Sequence, residues 1–185
     1  MMPELAMSVL DIAQNSVRAK ATLIEIEIAA DQAADTLTIR ILDDGCGMTP
    51  EQVAKVEDPF FTTRTTRKVG LGVPFFKQAA LVTGGSFCID SQVGKGTQVT
   101  AVFGLSSIDR MPLGDINGVI HTLITFTPEM DFLYRYRVDD RQFELDTRQF
   151  REILGGVPLD TPDVSQYIKE YLDENKRETD QGVQI

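Results

Sequence analysis

The sequence predicts an α+β fold, a two-layer sandwich in which a mixed β-sheet carries helices on one face. Four segments read as strands, two because their apolar residues alternate with period two and two because they form a hairpin by composition, namely 22–28, 37–42, 86–91 and 97–105. Three segments read as helices, namely 3–20, 48–56 and 73–82. The order helix, strand, strand, helix, helix, strand, strand fits such a sandwich over residues 1–105.

The composition indicates one globular core and excludes several partners. The chain has 185 residues, 42% of them hydrophobic, and a net charge of −10, so its field repels nucleic acid and anionic membranes. No apolar run is long enough to cross a bilayer, and the first residues lack the pattern of an export signal, so we expect a cytoplasmic protein. Cys46 and Cys88 are expected to be buried or half-buried thiols, without a disulfide or a zinc site.

The strand over 37–42 ends in the sequence Asp-Asp-Gly-Cys-Gly. A carboxylate held at a strand end, such as Asp43, can accept a hydrogen bond from an exocyclic amine. Gly45 and Gly47 allow the backbone to approach a flat base because they have no Cβ. The same pattern also occurs in ordinary turns, so by itself it leaves both interpretations open.

The first helix carries Asp11, Asn15 and Arg18 along one edge. One interpretation is a solvated polar face. The other is that Asn15 offers its side-chain oxygen to a hard divalent cation, which takes oxygen ligands and keeps several waters when it bridges phosphates.

A run of hydroxyl and cationic side chains extends from Thr62 to Lys68. Such a run between an apolar segment and a Gly-Leu-Gly turn predicts a lid that an anion orders. Gly70 and Gly72 then lead into the helix over 73–82, whose N-terminal amide groups would attract phosphate.

Residues 106–185 are predicted to form an extension that begins with strands and ends with helices. It carries 16 acidic and 9 basic side chains and no catalytic pattern. The predicted elements are strands over 118–126, 130–138 and 141–146, a helix from Thr147 to Leu154 capped by Thr147, a helix capped near Thr161, and a frayed end from residue 178. The single histidine, His121, is predicted to be structural within the first of these strands.

Three groups of motifs, in this order, resemble the GHKL ATPase superfamily over about residues 5–104. DIAQNSVRAKATLIEIEI resembles its first motif as seen in MutL proteins, and DDGCGM resembles its first glycine box. DPFFTTR and GLGVPFFKQAALVTGGSFCIDSQVGKGTQV resemble the catalytic domain of sensor histidine kinases. The resemblance implies a Bergerat fold that holds ATP and Mg²⁺ between its helices and a mobile lid.

The resemblance also implies roles for individual residues. Asn15 matches the magnesium ligand, Asp43 the acceptor of the adenine amine, and Thr97 a threonine that supports adenine through water. Arg18 stands where kinases often have a lysine that contacts phosphate. The remaining nucleotide-binding residues are Gly45, Gly47 and Met48 on the base side, and Thr63, Arg64, Arg67, Lys68, Gly70, Leu71 and Gly72 on the phosphate side.

One residue departs from the family pattern and leaves the activity open. Asp11 stands where hydrolysing relatives place a glutamate as general base, and its side chain is shorter by one bond, about 1.5 Å. The leading hypothesis is a stand-alone Mg-ATP-binding protein that is a slow ATPase or an ATP-driven regulatory switch. The alternatives are a kinase acting in trans on a Ser, Thr or His of a partner, as in anti-sigma-factor relatives, and a nucleotide sensor without turnover. We expect a protein partner through the C-terminal region and leave open whether the chain forms a homodimer.

Overall fold

The structure, a computed structural model, describes residues 4–60 and 72–185. These two ranges contain six helices and six strands. The helices are α1 Leu5–Arg18, α2 Pro50–Glu57, α3 Gly72–Leu81, α4 Ile116–Phe126, α5 Thr147–Ile153 and α6 Pro162–Asp180. The strands are β1 Leu23–Asp31, β2 Thr36–Asp43, β3 Ser86–Gln92, β4 Gly96–Gly104, β5 Asp131–Val138 and β6 Arg141–Asp146.

The six strands form one mixed sheet in the order β3-β4-β2-β1-β5-β6. The pair β1 and β5 is parallel, whereas the other four pairs are antiparallel. The predicted α+β class with a mixed sheet is therefore confirmed.

Period-two alternation decides which face of the sheet is buried. Ile24, Ile26 and Ile28 of β1 are at most 1% exposed, and they point to the face that α1 covers together with its neighbours α3 and α4. On the opposite face Glu27 pairs with Arg40 of β2 at 2.8 Å. The two faces therefore differ as the sequence predicts, with helices on one of them. No helix within the described ranges is both long and apolar enough to cross a bilayer.

Strands β5 and β6 continue this sheet beyond residue 105. Tyr134 of β5 and Leu172 of α6 belong to the same buried cluster as Ile26 of β1. The helical layer continues in the same way, because α4 contacts α1 and α6 contacts α4. A boundary between residues 105 and 106 stays a prediction, and the structure adds that the segments on its two sides share one core.

The prediction of a strand over 118–126 is wrong, because this segment forms α4. Its β-branched residues favour a strand by composition, but the buried positions 116, 119, 120, 123 and 124 follow helical periodicity. Asp115 begins the helix by accepting a hydrogen bond from the Gly118 amide at 2.9 Å. The C-terminal extension therefore begins with a helix.

Two local predictions in the C-terminal segment also need correction. The cap of α5 is Asp146, which accepts the Arg148 amide at 2.9 Å, and Thr147 is the first helical residue. The chain end is not frayed, since α6 continues to Asp180 and the side chains of Val183 and Ile185 pack against the core. The predicted start of α6 with Thr161 as its cap is confirmed.

Candidate nucleotide site

A cavity of about 230 Å³ lies between the C-terminal half of α1 and the ends of β2, β3 and β4. Most of its lining residues are apolar, which suits a flat heterocycle, and a few polar groups stand among them. The lining residues are Ile12, Asn15, Ser16, Ala19, Ile41, Asp43, Cys46, Gly47, Met48, Val56, Val73, Ile89, Thr97 and Val99. Of the sequence-predicted residues, Asn15, Asp43, Gly47, Met48 and Thr97 line this cavity.

The carboxylate of Asp43 is the buried polar centre of the cavity. The residue is 7% exposed, and its Oδ2 atom accepts a hydrogen bond from Ser16 Oγ at 2.5 Å. Its Oδ1 atom accepts the Gly45 amide at 2.9 Å. A carboxylate has about four acceptor positions, so these two bonds orient the group and leave acceptor capacity for a ligand amine.

Ser16 lies on the buried face of α1, and its contact with Asp43 was not predicted. Ser16 is 3% exposed, and it directly follows Asn15 on the last turns of α1. A buried hydroxyl among small and apolar helix residues needs a partner, and this requirement is the signal that could have identified it.

Thr97 lies opposite Asp43 in the register of β2 and β4. Its Oγ1 atom is 2.8 Å from Ser91 Oγ of β3. Ser91 Oγ also accepts the Met48 amide at 2.8 Å. These hydroxyls therefore fix the backbone after the glycine turn, a role of Ser91 that the sequence did not suggest.

The two glycines after Asp43 are required by packing. A Cβ at Gly47, where φ is +70°, would lie 1.9 Å from the Gln92 carbonyl oxygen. A Cβ at Gly45 would lie 2.8 Å from that of Ala19 at the end of α1. Both distances are shorter than real contacts, so the glycine turn (residues 45–47) fits between α1 and the β3–β4 turn only without side chains at these positions. Close approach to a base stays a prediction.

The polar edge of α1 continues from the cavity. Arg18 Nη1 donates to Asn15 Oδ1 at 2.9 Å, so these two predicted residues are in contact. Burial raises the pKa of Asp11, and the nearby positive charge of Arg18 partly offsets this rise. A Cβ at Gly72 would lie 2.2 Å from Asp11 Oδ2, which places the Asp11 carboxylate against the first residue of α3.

The second carboxylate of the Asp-Asp pair, Asp44, holds the glycine turn to the start of β1. It accepts hydrogen bonds from the Thr22 amide at 2.7 Å, from Thr22 Oγ1 at 2.5 Å and from the Leu23 amide at 3.1 Å. Burial opposes ionisation of Asp44, but these hydrogen bonds outweigh it and lower the pKa of its carboxyl. Asp44 was not among the predicted site residues.

Six predicted site residues lie outside the described residues, namely Thr63, Arg64, Arg67, Lys68, Gly70 and Leu71. His121 lies on α4, away from the cavity lining, and its Nε2 atom is 2.8 Å from Ser165 Oγ of α6. Both cysteines are exposed, so the prediction of buried or half-buried thiols is wrong. Cys46 lies in the glycine turn at the cavity, and Cys88 points outwards from β3, a strand at the sheet edge.

A magnesium ion would find a single predicted protein ligand here. Residues 4–60 and 72–185 contain no group of three or more His, Cys, Asp or Glu side chains that could hold a metal. Mg²⁺ bound to a nucleotide typically takes one or two protein oxygens and completes its shell with phosphates and waters. The amide oxygen of Asn15 at the cavity rim fits this donor set.

Comparison with known proteins agrees with this geometry. Residues 3–107 match the family model described as histidine kinase-, DNA gyrase B-, and HSP90-like ATPase. The chain belongs to this family.

The relatives of this GHKL-type ATP-binding domain include much longer proteins. A probable C4-dicarboxylate sensor kinase of Bacillus subtilis is 36% identical over 78 residues, which are 42% of this chain and 15% of that protein. A sensor protein of Shewanella frigidimarina is 32% identical over 102 residues, which are 54% of this chain and 16% of that protein. The chain therefore spans only a small part of these curated relatives.

Solved structures of low sequence identity share the fold of this GHKL domain. The MutL ATPase domain of Aquifex aeolicus, complexed with ADP, has a TM-score of 0.51 at 18% identity and covers 84% of this chain and 70% of its own. The N-terminal domain of a DNA repair protein has a TM-score of 0.56 at 15% identity, and the match covers 78% of this chain and 53% of that one. Both superpositions include more of the chain than the family model matches, so the shared fold extends past residue 107.

Proposed function

We propose that this GHKL domain is a slow ATPase whose Mg-ATP-bound and free states form a regulatory switch. The observation that carries the proposal is the Asp43 carboxylate, buried in an apolar cavity and oriented by Ser16 and Gly45. An acceptor fixed in this way selects a base with an exocyclic amine, as adenine has, over one that presents a carbonyl there, as guanine does.

The phosphate end of the site lies along α1 and the start of α3. In this proposal Asn15 holds Mg²⁺, which supplies charge neutralisation for the phosphates when it is bound. Arg18 turns its guanidinium from Asn15 towards the phosphates. The run from Thr62 to Lys68, which lies outside the described residues, is the proposed lid, with Arg64, Arg67 and Lys68 as its cations.

Asp11 is the proposed general base for the attacking water. Burial against the start of α3 raises its pKa, and a carboxylate with a raised pKa is a stronger base. A general base acts in its ionised form. The hydrolysis rate should therefore rise with pH through a pKa above the ordinary value of 3.8 and level off above it.

Phosphoryl transfer to a partner protein is a second candidate function. It is favoured by the sensor kinases among the relatives. A sensor without turnover is the third candidate, and it is favoured by the short side chain of Asp11. In each case we propose that a protein partner contacts the C-terminal segment and that the protein acts in the cytoplasm.

The test is to incubate the protein with Mg²⁺ and ATP labelled on the γ-phosphate and to follow the label. We expect slow release of labelled phosphate by the wild type and much slower release by Asp43→Ala at the same, subsaturating ATP concentration. Asp11→Asn, which keeps the size of the side chain, should still bind ATP but lose hydrolysis. Phosphate release that is unchanged in Asp11→Asn would remove Asp11 as the base.

Binding to Asp43→Ala separates the pocket assignment from the activity. Loss of a hydrogen bond to a charged group is worth about 1.5–3 kcal/mol, so its ATP affinity should fall by about 10- to 150-fold. Retained affinity with retained preference for ATP over GTP would contradict the assignment of Asp43. Label that stays on ATP bound to the wild type would favour the sensor or the kinase over the ATPase.

A further inference from the structure

One residue touches both the glycine turn and the C-terminal segment. Thr22 directly precedes β1, and its amide and hydroxyl hold Asp44 at 2.7 and 2.5 Å. Its carbonyl oxygen accepts the amide of Asp131, the first residue of β5, at 3.0 Å. Thr22 therefore positions two groups: the Asp44 carboxylate, which adjoins the glycine turn, and the start of β5, the first strand of the C-terminal segment.

From Asp131 the hydrogen bonds continue into α5. Asp131 Oδ1 accepts Thr147 Oγ1 at 3.0 Å and Arg151 Nε at 2.9 Å. Arg151 Nη2 also donates to the carbonyl oxygens of Pro128 and Met130 at 2.6 and 3.0 Å. The turn before β5 and the helix after β6 are thus joined to the residue that Thr22 holds.

We propose that Thr22 is a positioning residue that couples nucleotide binding in the pocket to the hydrogen bonds of the segment 127–151. This inference rests on the ATP-binding function of the pocket. A nucleotide that orders the glycine turn tightens the contacts of Asp44 with Thr22, and the Thr22 carbonyl passes this constraint to Asp131. Linkage is reciprocal. If nucleotide binding strengthens the hydrogen bonds of Arg151, loss of these bonds must weaken nucleotide binding by the same factor.

The chain offers a matched control at the opposite end of β2. Asp35 directly precedes β2 and accepts the Ser106 amide at 2.9 Å and Ser106 Oγ at 2.8 Å. This pair has the same chemistry as Asp44 with Thr22, namely one carboxylate, one amide and one hydroxyl. It lies at the far end of the sheet from the cavity, so its removal tests stability without touching the glycine turn.

The first experiment measures ADP affinity by calorimetry on the full chain, with thermal unfolding of every variant alongside. Thr22→Val and Asp44→Asn should raise the Kd for ADP about three- to tenfold, which corresponds to one hydrogen bond of about 0.5–1.5 kcal/mol. Thr22→Ser should restore affinity to within about twofold. Ser106→Ala and Asp35→Asn should stay within about twofold of wild type.

Arg151→Gln tests the remote end of the link against Arg148→Gln on the same helix. Arg148 donates to Asp146 instead of Asp131. Arg151→Gln should change the Kd for ADP by at least twofold, and Arg148→Gln should leave it unchanged. An unchanged Kd for ADP in Arg151→Gln would show that the coupling does not extend to α5.

Hydrogen exchange measured by NMR follows the link directly. ADP should slow hydrogen exchange of the Asp131 amide, which donates to the Thr22 carbonyl. Exchange of the Asp139 amide should not change. This amide donates to the Ala30 carbonyl at 2.9 Å, at the other end of β1. Thr22→Val removes the hydroxyl and keeps the backbone amide and carbonyl, so it should reduce the effect at Asp131. Equal slowing of both amides, or a Kd in Thr22→Val no different from that in Ser106→Ala, would overturn the proposal. Wild-type protein that fails to bind ADP would instead overturn the ATP-binding premise, and the link with it.

Discussion

The described residues up to 105 (4–60 and 72–105) and residues 106–185 contribute strands to one sheet, but their buried polar groups have different roles. In the first segment Ser16, Asp43 and Gly45 bond to one another around a cavity. In the second segment the hydroxyl of Tyr136 bonds to Asp180, and its ring lies among the packed aromatic rings of Tyr134 and Phe143. Residues that bind a ligand need particular functional groups, whereas residues that only pack in a core can be replaced by others of similar volume. The family motifs therefore cover only the first segment, although both segments share the fold.

The largest expected effect comes from separating the two segments. A chain of residues 1–107, which spans the family match, loses the pairing of β1 with β5 and the contact of α1 with α4. We expect it to lack a cooperative unfolding transition in calorimetry and to show poorly dispersed amide signals in NMR spectra. A 1–107 chain that unfolds cooperatively and binds ADP like the full chain would instead support a domain boundary at residue 105.

Gly47→Ala should have the next largest effect, and it is confined to the pocket. The new Cβ would meet the Gln92 carbonyl oxygen, so the glycine turn must move and ADP binding should be lost. Gly94→Ala is the matched control, since Gly94 has a similar φ of +79° but has nothing within 4 Å of the new Cβ. It should cost only about 1–2 kcal/mol of backbone strain and keep ADP affinity. Similar affinities of the two variants would contradict the packing role of Gly47.

Two tyrosines on β5 sharpen the comparison within the second segment. Tyr136→Phe removes the bond from the tyrosine hydroxyl to Asp180 Oδ1, 2.5 Å long, and should lower the free energy of unfolding by about 1–2 kcal/mol. The Tyr134 hydroxyl is buried without a hydrogen-bond partner among the described residues, so Tyr134→Phe should leave stability unchanged or raise it by up to about 1 kcal/mol. Urea unfolding measures both. A larger loss in Tyr134→Phe than in Tyr136→Phe would contradict this assignment of partners.

The smallest expected effect is a dependence of stability on pH. A hydrogen bond from the Arg148 side chain lowers the pKa of Asp146 below its ordinary value of 3.8, although burial opposes this shift. Since the folded pKa is the lower one, this stabilisation is complete above pH 3.8 and is lost as the pH falls through the folded value. The stability difference between wild type and Asp146→Asn should therefore shrink between pH 6 and pH 3. A difference that stays constant over this range would contradict the contribution of the charged pair.

The strands and helices of the first segment could be predicted because their local signals agree with their environment. The helix predicted over 48–56 is α2, in which Thr49 is the cap, Pro50 is the first residue and Gln52 completes a capping box. The prediction of a strand over 118–126 was wrong because the residue types there favour a strand while the cap and the tertiary contacts favour a helix. Val119, Ile120 and Ile124 favour a strand by shape, while the cap at Asp115 and contact with α1 and α6 favour a helix, and the tertiary contacts decide.

Within the candidate site, the residues that carry recognisable motifs were predictable and their supports were not. Asp43 and Thr97 belong to motifs that the sequence analysis recognised, and the structure pairs them across β2 and β4. Ser16, Ser91 and Thr22 act through hydroxyl groups on three different elements, and only the folded chain brings them to the glycine turn. Their positions depend on contacts between elements that are far apart in the sequence, and local sequence patterns do not specify such contacts.

The parallel pairing of β1 with β5 sets a constraint on how the chain folds. Ile24 lies beside Phe132, so more than one hundred residues must be synthesised after β1 before its second edge is covered. Until then β1 offers an open row of amide and carbonyl groups together with a strongly apolar face, which favours pairing with a neighbouring chain. Such sequence-distant contacts also slow folding, because the long loop must close before they form. We therefore expect a protein that folds late during translation and whose refolding yield falls steeply as its concentration rises.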